Sequence, residues 1–309
     1  MIPRIVWICA ITASTVLAQQ QSFTLNIGNE ASLSIRGKVA PGSLAGYSVT
    51  FRSPVPYPFP SGQPKLTLRQ ETGLEIPLET NMAGLLSGQF YVPNSVQHGP
   101  ATVTLQVDDY VATGTVDIVP TAPALYVDLL AETLDAQVIR GTPEPPKFRE
   151  PIHPGDTFTV WGTGLGNASA AEVRARIGTR TLDVLYAGAV PHLRGVDQYN
   201  LRVPPGATLP DTCFTGVELT VRGTAVPSGT LPTSTTGDPC RHPLNLTSDQ
   251  LATLDRDEPI PVASFVLSNY TARLYDPVTF DPLELIERQE TAGVDVRNQW
   301  SRRDRLHDP

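Results

Sequence analysis

The residues that could do chemistry in this chain are few and scattered. A glycine-rich turn, Gly162-Thr-Gly-Leu-Gly166, follows a strand-like run, and such a turn can cradle a pyrophosphate. No βαβ pattern surrounds it, and an alternating hairpin pattern follows, so the glycines read as a turn needing positive φ. The five histidines (His98, His153, His192, His242, His307) show no metal-ligand spacing such as HExxH. His192 and Asp197 stand near the two ends of the loop Pro191-His-Leu-Arg-Gly-Val-Asp197, but no GxSxG elbow supplies a nucleophile to complete a triad. Asp255-x-Asp257-Glu258 lacks the glycine and downstream glutamate of an EF-hand loop and reads as a solvated acidic turn. Asn167, Asn245 and Asn269 begin Asn-x-Ser/Thr sequons, which matter only in a eukaryotic secretory host. No catalytic residue, cofactor-binding residue or metal ligand is assigned, and a non-enzymatic chain needing no cofactor is expected.

Of three cysteines, Cys9 sits near the N-terminus, and Cys213 and Cys240 lie far along the chain. In an oxidising compartment an even pair reads as one disulfide. Two free thiols or half a metal site are the alternatives, unsupported by any CxxC or neighbouring histidine cluster. The compartment is read from the first residues, MIPRIVWICAITASTVLA. Arg4 precedes an apolar run from Ile5 to Leu17, and the small residue Ala18 follows. That order predicts a secretory signal peptide over 1–18, cleaved after Ala18. The run is shorter than the ~20 residues a membrane-spanning helix needs, which weighs against an uncleaved anchor. No later segment is apolar for long enough to span a membrane.

The net charge is −8, with 23 Lys and Arg against 31 Asp and Glu. An acidic balance weighs against a nucleic-acid partner, which would require clustered cations. Proline is abundant, 30 of 309 residues, about twice the usual ~5%. Many short strands interrupted by Pro and Gly favour a sandwich or barrel.

The elements that would position these residues alternate with period two. Phe23, Leu25 and Ile27 form a first run; Gly28-Asn29 reads as a turn before Leu33 and Ile35, and Tyr47, Val49 and Phe51 continue the pattern. Pro54 to Pro64 is a proline-rich, polyproline-like loop carrying Tyr57 and Phe59. Val103, Leu105 and Val107 point one way and Thr102, Thr104 and Gln106 the other; after Asp108-Asp109 the chain returns through Val116 and Ile118, giving one buried and one solvated face. A connecting segment is read over 124–152 from its Pro-rich composition. Strands resume at Phe158 and Val160, at Val173 to Ile177, at Leu182 to Tyr186 with a Gly178-Thr179 turn between them, and at Val217 to Val221. Beyond 246, Thr247 to Gln250 has capping-box spacing, and a second helix is expected from Asp281, with Pro282 at N1, to about Ala292 before Gly293. A basic tail with Arg297, Arg302, Arg303 and Arg305 surrounds Trp300 and reads as a solvated terminus.

The two β regions read as unequal copies of one unit. Pro41-Gly42 maps onto Pro154-Gly155, and Gln89 to Pro93 onto Gln198 to Pro204, with gaps. On Pro154-Gly155, the GTGLG at 162–166, the YAG at 186–188, DQYNLRVP at 197–204, HGPATV at 98–103 and APALY at 122–126, the chain resembles a repeat found near the C-termini of secreted acidobacterial proteins (the Solibacter-type domain), itself similar to the IPT/TIG immunoglobulin-like fold. The resemblance covers roughly 31–270. The first copy lacks the GTGLG turn, and the region beyond about 270 departs from the pattern.

The expectation is therefore an all-β protein: a signal peptide over 1–18, an Ig-like sandwich over 19–123, a connector over 124–152, a second sandwich over 153–246, and a partly helical extension over 247–309. Its expected role is binding, scaffolding or adhesion at the outside of a bacterial cell, with a protein or polysaccharide partner. A carbohydrate-binding accessory module is the second reading and an unrecognised hydrolase the third. Tyr57, Phe59, His192 and Arg194 are the candidate ligand-presenting residues, and Trp161 joins Tyr57 and Phe59 as an aromatic suited to stacking on a sugar.

Overall fold

A computed structural model describes residues 23–32, 37–50, 61–84, 86–128, 133–256, 258, 260–275 and 282–300. The predicted cleavage site at Ala18, the proline-rich loop's Tyr57 and Phe59, and the expected strand residues Leu33 and Ile35 lie outside these residues. Among the described residues, no helix is long and apolar enough to cross a membrane.

The first module is built from β1 (Phe23–Asn29), β2 (Lys38–Val39), β3 (Leu44–Thr50), β4 (Lys65–Gln70), β5 (Glu75–Pro77), β6 (Thr80–Ala83), β7 (Ser87–Tyr91), β8 (Gly99–Val107) and β9 (Tyr110–Ile118). They join in the order β5-β4-β8-β9-β1-β3-β7-β6, with β2 beside β9. Most pairings are antiparallel, and β9 runs parallel to β1 and β2. The alternation read from the sequence sets which side is dry: Phe23, Leu25, Ile27, Leu68, Phe90, Val103, Leu105, Val116 and Ile118 share one core. Asp108 turns β8 into β9 at φ 52, and its carboxylate accepts the Ser61 and Gly62 N–H groups.

The expected Gly28-Asn29 turn does not form. Both residues remain in β1, opposite Gly46 and Ala45 of β3. The Asn29 side chain has a task outside the strand, described below, and that task accounts for a turn-type residue in an extended position.

The second module comprises β10 (Ala124–Leu125), β11 (Val127–Asp128), β12 (Thr133–Leu134), β13 (Ala136–Ile139), β14 (Pro143–Glu144), β15 (Thr157–Thr163), β16 (Val173–Ile177), β17 (Arg180–Ala189), β18 (Asp197–Arg202), β19 (Thr212–Val221) and β20 (Thr224–Thr233). Its order is β11-β12-β20-β19-β16-β17-β18-β15-β13-β14. β17 holds the two halves together: it pairs with β16 up to Leu182 and with β18 from Asp183 onward. A bulge between Val184 and Tyr186 bends it, as bulges do where a strand passes from one sheet to the other. Phe158, Val160, Val173, Ile177, Tyr199, Leu201, Val217 and Leu219 fill the core.

The segment 124–152, expected as a connector, is largely built into this sheet. β10 and β13 both pair with β15, and Leu125, Leu134, Ala136 and Val138 are buried in the second core. Its short alternating run, Leu134, Ala136 and Val138, is flanked by proline-rich composition that conceals it.

A third, smaller core holds the disulfide. Cys213 and Cys240 are bonded, with Cα atoms 5.0 Å apart, and pack with Phe148, Leu251, Leu254 and Ile260. The helix α1 (Ser248–Asp255) starts at the expected capping box: Thr247 Oγ1 accepts the Gln250 N–H, and Gln250 Oε1 accepts the Thr247 N–H. The second expected helix is absent. Pro282 to Ala292 lies instead in β22 (Pro282–Trp300), antiparallel to β21 (Ile260–Tyr275). The Pro and Glu at the start of this segment imitate helix N1 and N3, but Leu283-Glu-Leu285 and Val294-Asp-Val296 carry a period of two. The partner strand is rich in β-branched and aromatic residues, which favours the extended state.

The fold is thus all-β with two Ig-like sandwiches and a short partly helical extension. In both modules a Pro-Gly turn leads into a strand, with Gly42 at φ 80 and Gly155 at φ 93. That strand pairs with the one bearing the Gln-aromatic motif, β3 with β7 and β15 with β18.

Candidate functional site: the joint between modules and an outer sheet face

The GTGLG turn lies where the second module meets the first. Gly164 and Gly166 have φ of 92° and 62°, as the turn reading requires. A Cβ on Gly164 would stand 2.0 Å from the Ala122 carbonyl oxygen, and one on Gly166 2.1 Å from that of Pro120. These glycines bring backbone against backbone where a nucleotide fingerprint would hold phosphate.

Asn29 crosses this joint. Its Nδ2 donates to the carbonyl oxygens of Ala122 at 2.6 Å and Thr163 at 3.1 Å, while its Oδ1 accepts the Ala31 N–H. Thr163 Oγ1 accepts the Leu44 N–H at 2.8 Å and donates to Gly195 O at 2.6 Å. Asn29 and Thr163 are both buried, so these bonds form away from competing water and hold one arrangement.

The Pro191–Gly195 loop, expected to present a ligand-binding surface, is drawn into the same joint. Arg194 pairs with Glu79 of the first module, and its guanidinium carbon lies 3.9 Å from the centre of the Tyr91 ring. His192 is exposed at φ 68. Asp197 is 7% exposed and accepts the Leu165 N–H at 2.7 Å. Burial raises its carboxyl pKa to about 6, the Leu165 bond opposing the shift. Burial and the Asp197 charge both raise the pKa of Tyr199, and burial, then Glu30, then Asp197, that of Tyr126. Asp197 therefore holds the backbone of the GTGLG turn at Leu165, and among the described residues no hydrogen bond or ion pair joins it to His192.

The acidic turn also has a structural role. Asp255 accepts the N–H groups of Phe148 and Arg149 at 2.7 and 3.0 Å, and Glu258 pairs with Arg256 at 2.9 Å. Among the described residues, no group of three or more His, Cys, Asp or Glu is placed to hold a metal ion.

A different surface gathers aromatic and amide side chains. On the outer face of β15, β18 and β17, Trp161 stands opposite Gln198 and Gln198 opposite Gly188; one row away, Thr159 faces Asn200 and Asn200 faces Tyr186. Tyr186 is 40% exposed. Its Oη donates to Ala189 O at 2.9 Å, and the phenol end of its ring lies over Gly188, where a Cβ would stand 2.9 Å from Cζ. Asn200 Oδ1 accepts from Thr159 Oγ1 at 2.8 Å and from Gln198 Nε2 at 2.7 Å. A last row pairs Arg202 with Asp183 at 2.8 Å. Trp161 was readable as a stacking aromatic. Tyr186, Gln198 and Asn200 stand in the YAG and DQYN motifs, but only the bulge and the register bring them together with it.

No protein-family model matches the chain, nor does any curated protein. Several solved structures are similar at low scores. The surface glycan-binding protein SGBP-B of the Bacteroides ovatus mixed-linkage glucan utilization locus, solved with a mixed-linkage heptasaccharide, is 15% identical at a TM-score of 0.30, over 84% of this chain and 66% of that one. SGBP-B from a Bacteroides uniformis xyloglucan utilization locus is 10% identical at 0.25, over 78% and 54%. The bacterial integrin-binding protein invasin is 14% identical at 0.21, over 80% and 42%. The chain thus spans about two thirds of the first of these and about half or less of the others, and none carries a ligand across to it.

Proposed function

We propose that this chain is a non-enzymatic tandem β-sandwich protein that is secreted or held at the surface of a bacterial cell, where it binds or scaffolds. The observation that carries this reading is the joint. Buried hydrogen bonds from Asn29 and Thr163 fix one module on the other, making a stiff frame that displays sheet faces at set positions. The Cys213–Cys240 disulfide supports an oxidising compartment, in keeping with cleavage of a signal peptide after Ala18. The two modules, β1 to β9 and β10 to β20, are proposed to be copies of the acidobacterial repeat unit.

The test is expression of the full chain, leader included, in a Gram-negative host, followed by fractionation, N-terminal sequencing and alkylation without reductant. The expected result is an envelope or extracellular species beginning at Gln19 with both cysteines blocked. A cytoplasmic chain beginning at Met1 with three alkylated thiols, Cys9, Cys213 and Cys240, overturns the proposal. A carbohydrate-binding role is the second reading, favoured by the aromatic and amide side chains on the outer face of β15, β18 and β17.

A further inference from the structure

We propose that the outer face of β15, β18 and β17 is a binding face for a neutral oligosaccharide, with Trp161 and Tyr186 as stacking platforms and Gln198 and Asn200 as the polar readers between them. The inference rests on the reading of the chain as a binding protein and gives that reading a site and a ligand class.

Three features of the face select this ligand. The first is spacing. Trp161 and the Gly188 position under the Tyr186 ring are the two register partners of Gln198, so they stand two strand spacings apart, roughly 10 Å. That is about the reach of a short run of sugar rings lying across the strands. The second is preorganisation. The Tyr186 ring is held by its bond to Ala189 O and has room because position 188 has no side chain. A ring already held in place loses little freedom when a ligand stacks on it.

The third feature is polarity without charge. Gln198 and Asn200 are neutral amides that both donate and accept, as ring hydroxyls require. The chain's own bonds use Gln198 Nε2 and Asn200 Oδ1, which leaves Gln198 Oε1 and Asn200 Nδ2 for hydroxyl groups. The charged residues nearest them in register, Arg202 and Asp183, neutralise each other. A polyanion or polycation finds no complementary field here. An aromatic pair with satisfied but unsaturated amides between them suits a ligand with apolar C–H faces and a hydroxyl edge.

The test is affinity electrophoresis of the folded full-length protein through native gels containing hydroxyethyl cellulose, galactomannan or alginate. Compared are the wild type, Trp161→Ala, Tyr186→Ala, Gln198→Ala and a control on the first module, Leu74→Ala, whose side chain is also exposed. Expected is retardation by at least one neutral polymer, with the apparent Kd raised about tenfold by Tyr186→Ala, as for an aromatic anchor, and unchanged by Leu74→Ala. Tyr186 is the deciding position because an exposed side chain can be removed without emptying the core, should Trp161→Ala misfold. No retardation by either neutral polymer, equal retardation of wild type and Tyr186→Ala, or retardation by alginate alone overturns the proposal. Any of these would leave export and the disulfide, and hence the broader reading, standing.

Discussion

The backbone N–H of Leu44 in the first module donates to Thr163 Oγ1 in the second at 2.8 Å, and the same hydroxyl donates to Gly195 O. One buried side chain thus ties β3, β15 and the Pro191–Gly195 loop. Thr163→Val keeps the volume and removes the hydroxyl, leaving the Leu44 N–H without this acceptor. The expected cost is about 1–3 kcal/mol, read as a lowered midpoint in urea unfolding. Thr24→Val on the exposed face of β1 is the control and should stay within about 0.5 kcal/mol of wild type. Equal midpoints for the two variants would show that the joint contributes nothing to stability.

Asp197 gives this region a pH dependence. Its folded pKa is raised to about 6, first by burial, from an unfolded value near 3.8. The folded state therefore prefers the protonated carboxyl. The stability this group contributes is fully present below about pH 4 and is lost as pH rises through about 6. The difference between the folded and unfolded values corresponds to roughly 3 kcal/mol. Asp197→Asn removes the titration, so between pH 4 and 7 the wild type should lose about 2–3 kcal/mol relative to the variant in paired urea titrations. Parallel stability profiles would refute the assignment.

The strands were largely legible because one face of each is dry. Phe23, Leu25 and Ile27, or Val103, Leu105 and Val107, announce their sheets by alternation alone. The turns at Asp108 and Gly178 were legible because only certain residues tolerate positive φ. The joint was not. Asn29 and Arg194 have side chains that serve equally in a turn or a solvated loop, and their partners are far away in the chain, Thr163 for one and Tyr91 for the other. The outer face of β17 was hidden for a related reason: a bulge changes the count between Val184 and Tyr186, so strict alternation fails where it would have revealed Tyr186. The helix expected at Asp281 failed because a capping pattern reports only local preference, and pairing with β21 decides the outcome.

Gly164 offers the sharpest comparison between conformation and contact. Gly164 and Gly223 both have positive φ, 92° and 80°, so alanine at either position pays a backbone penalty of about 1 kcal/mol. The surroundings differ. A Cβ at Gly223 meets nothing within 4 Å, whereas at Gly164 it falls 2.0 Å from the Ala122 carbonyl oxygen and 2.7 Å from Asn29 Nδ2. Backbone cannot swing aside like a flexible side chain, so Gly164→Ala must push β15 away from the connection at Ala122 and break the Asn29 bridge with it. The expected destabilisation is the ~1 kcal/mol common to both sites plus about 1–3 kcal/mol for the buried hydrogen bonds lost. In matched urea titrations Gly164→Ala should therefore lie well below Gly223→Ala. Amide hydrogen exchange should show faster exchange at Leu44 in Gly164→Ala alone. If the two variants unfold together and Leu44 stays protected in both, the close approach at the joint is not what Gly164 is for.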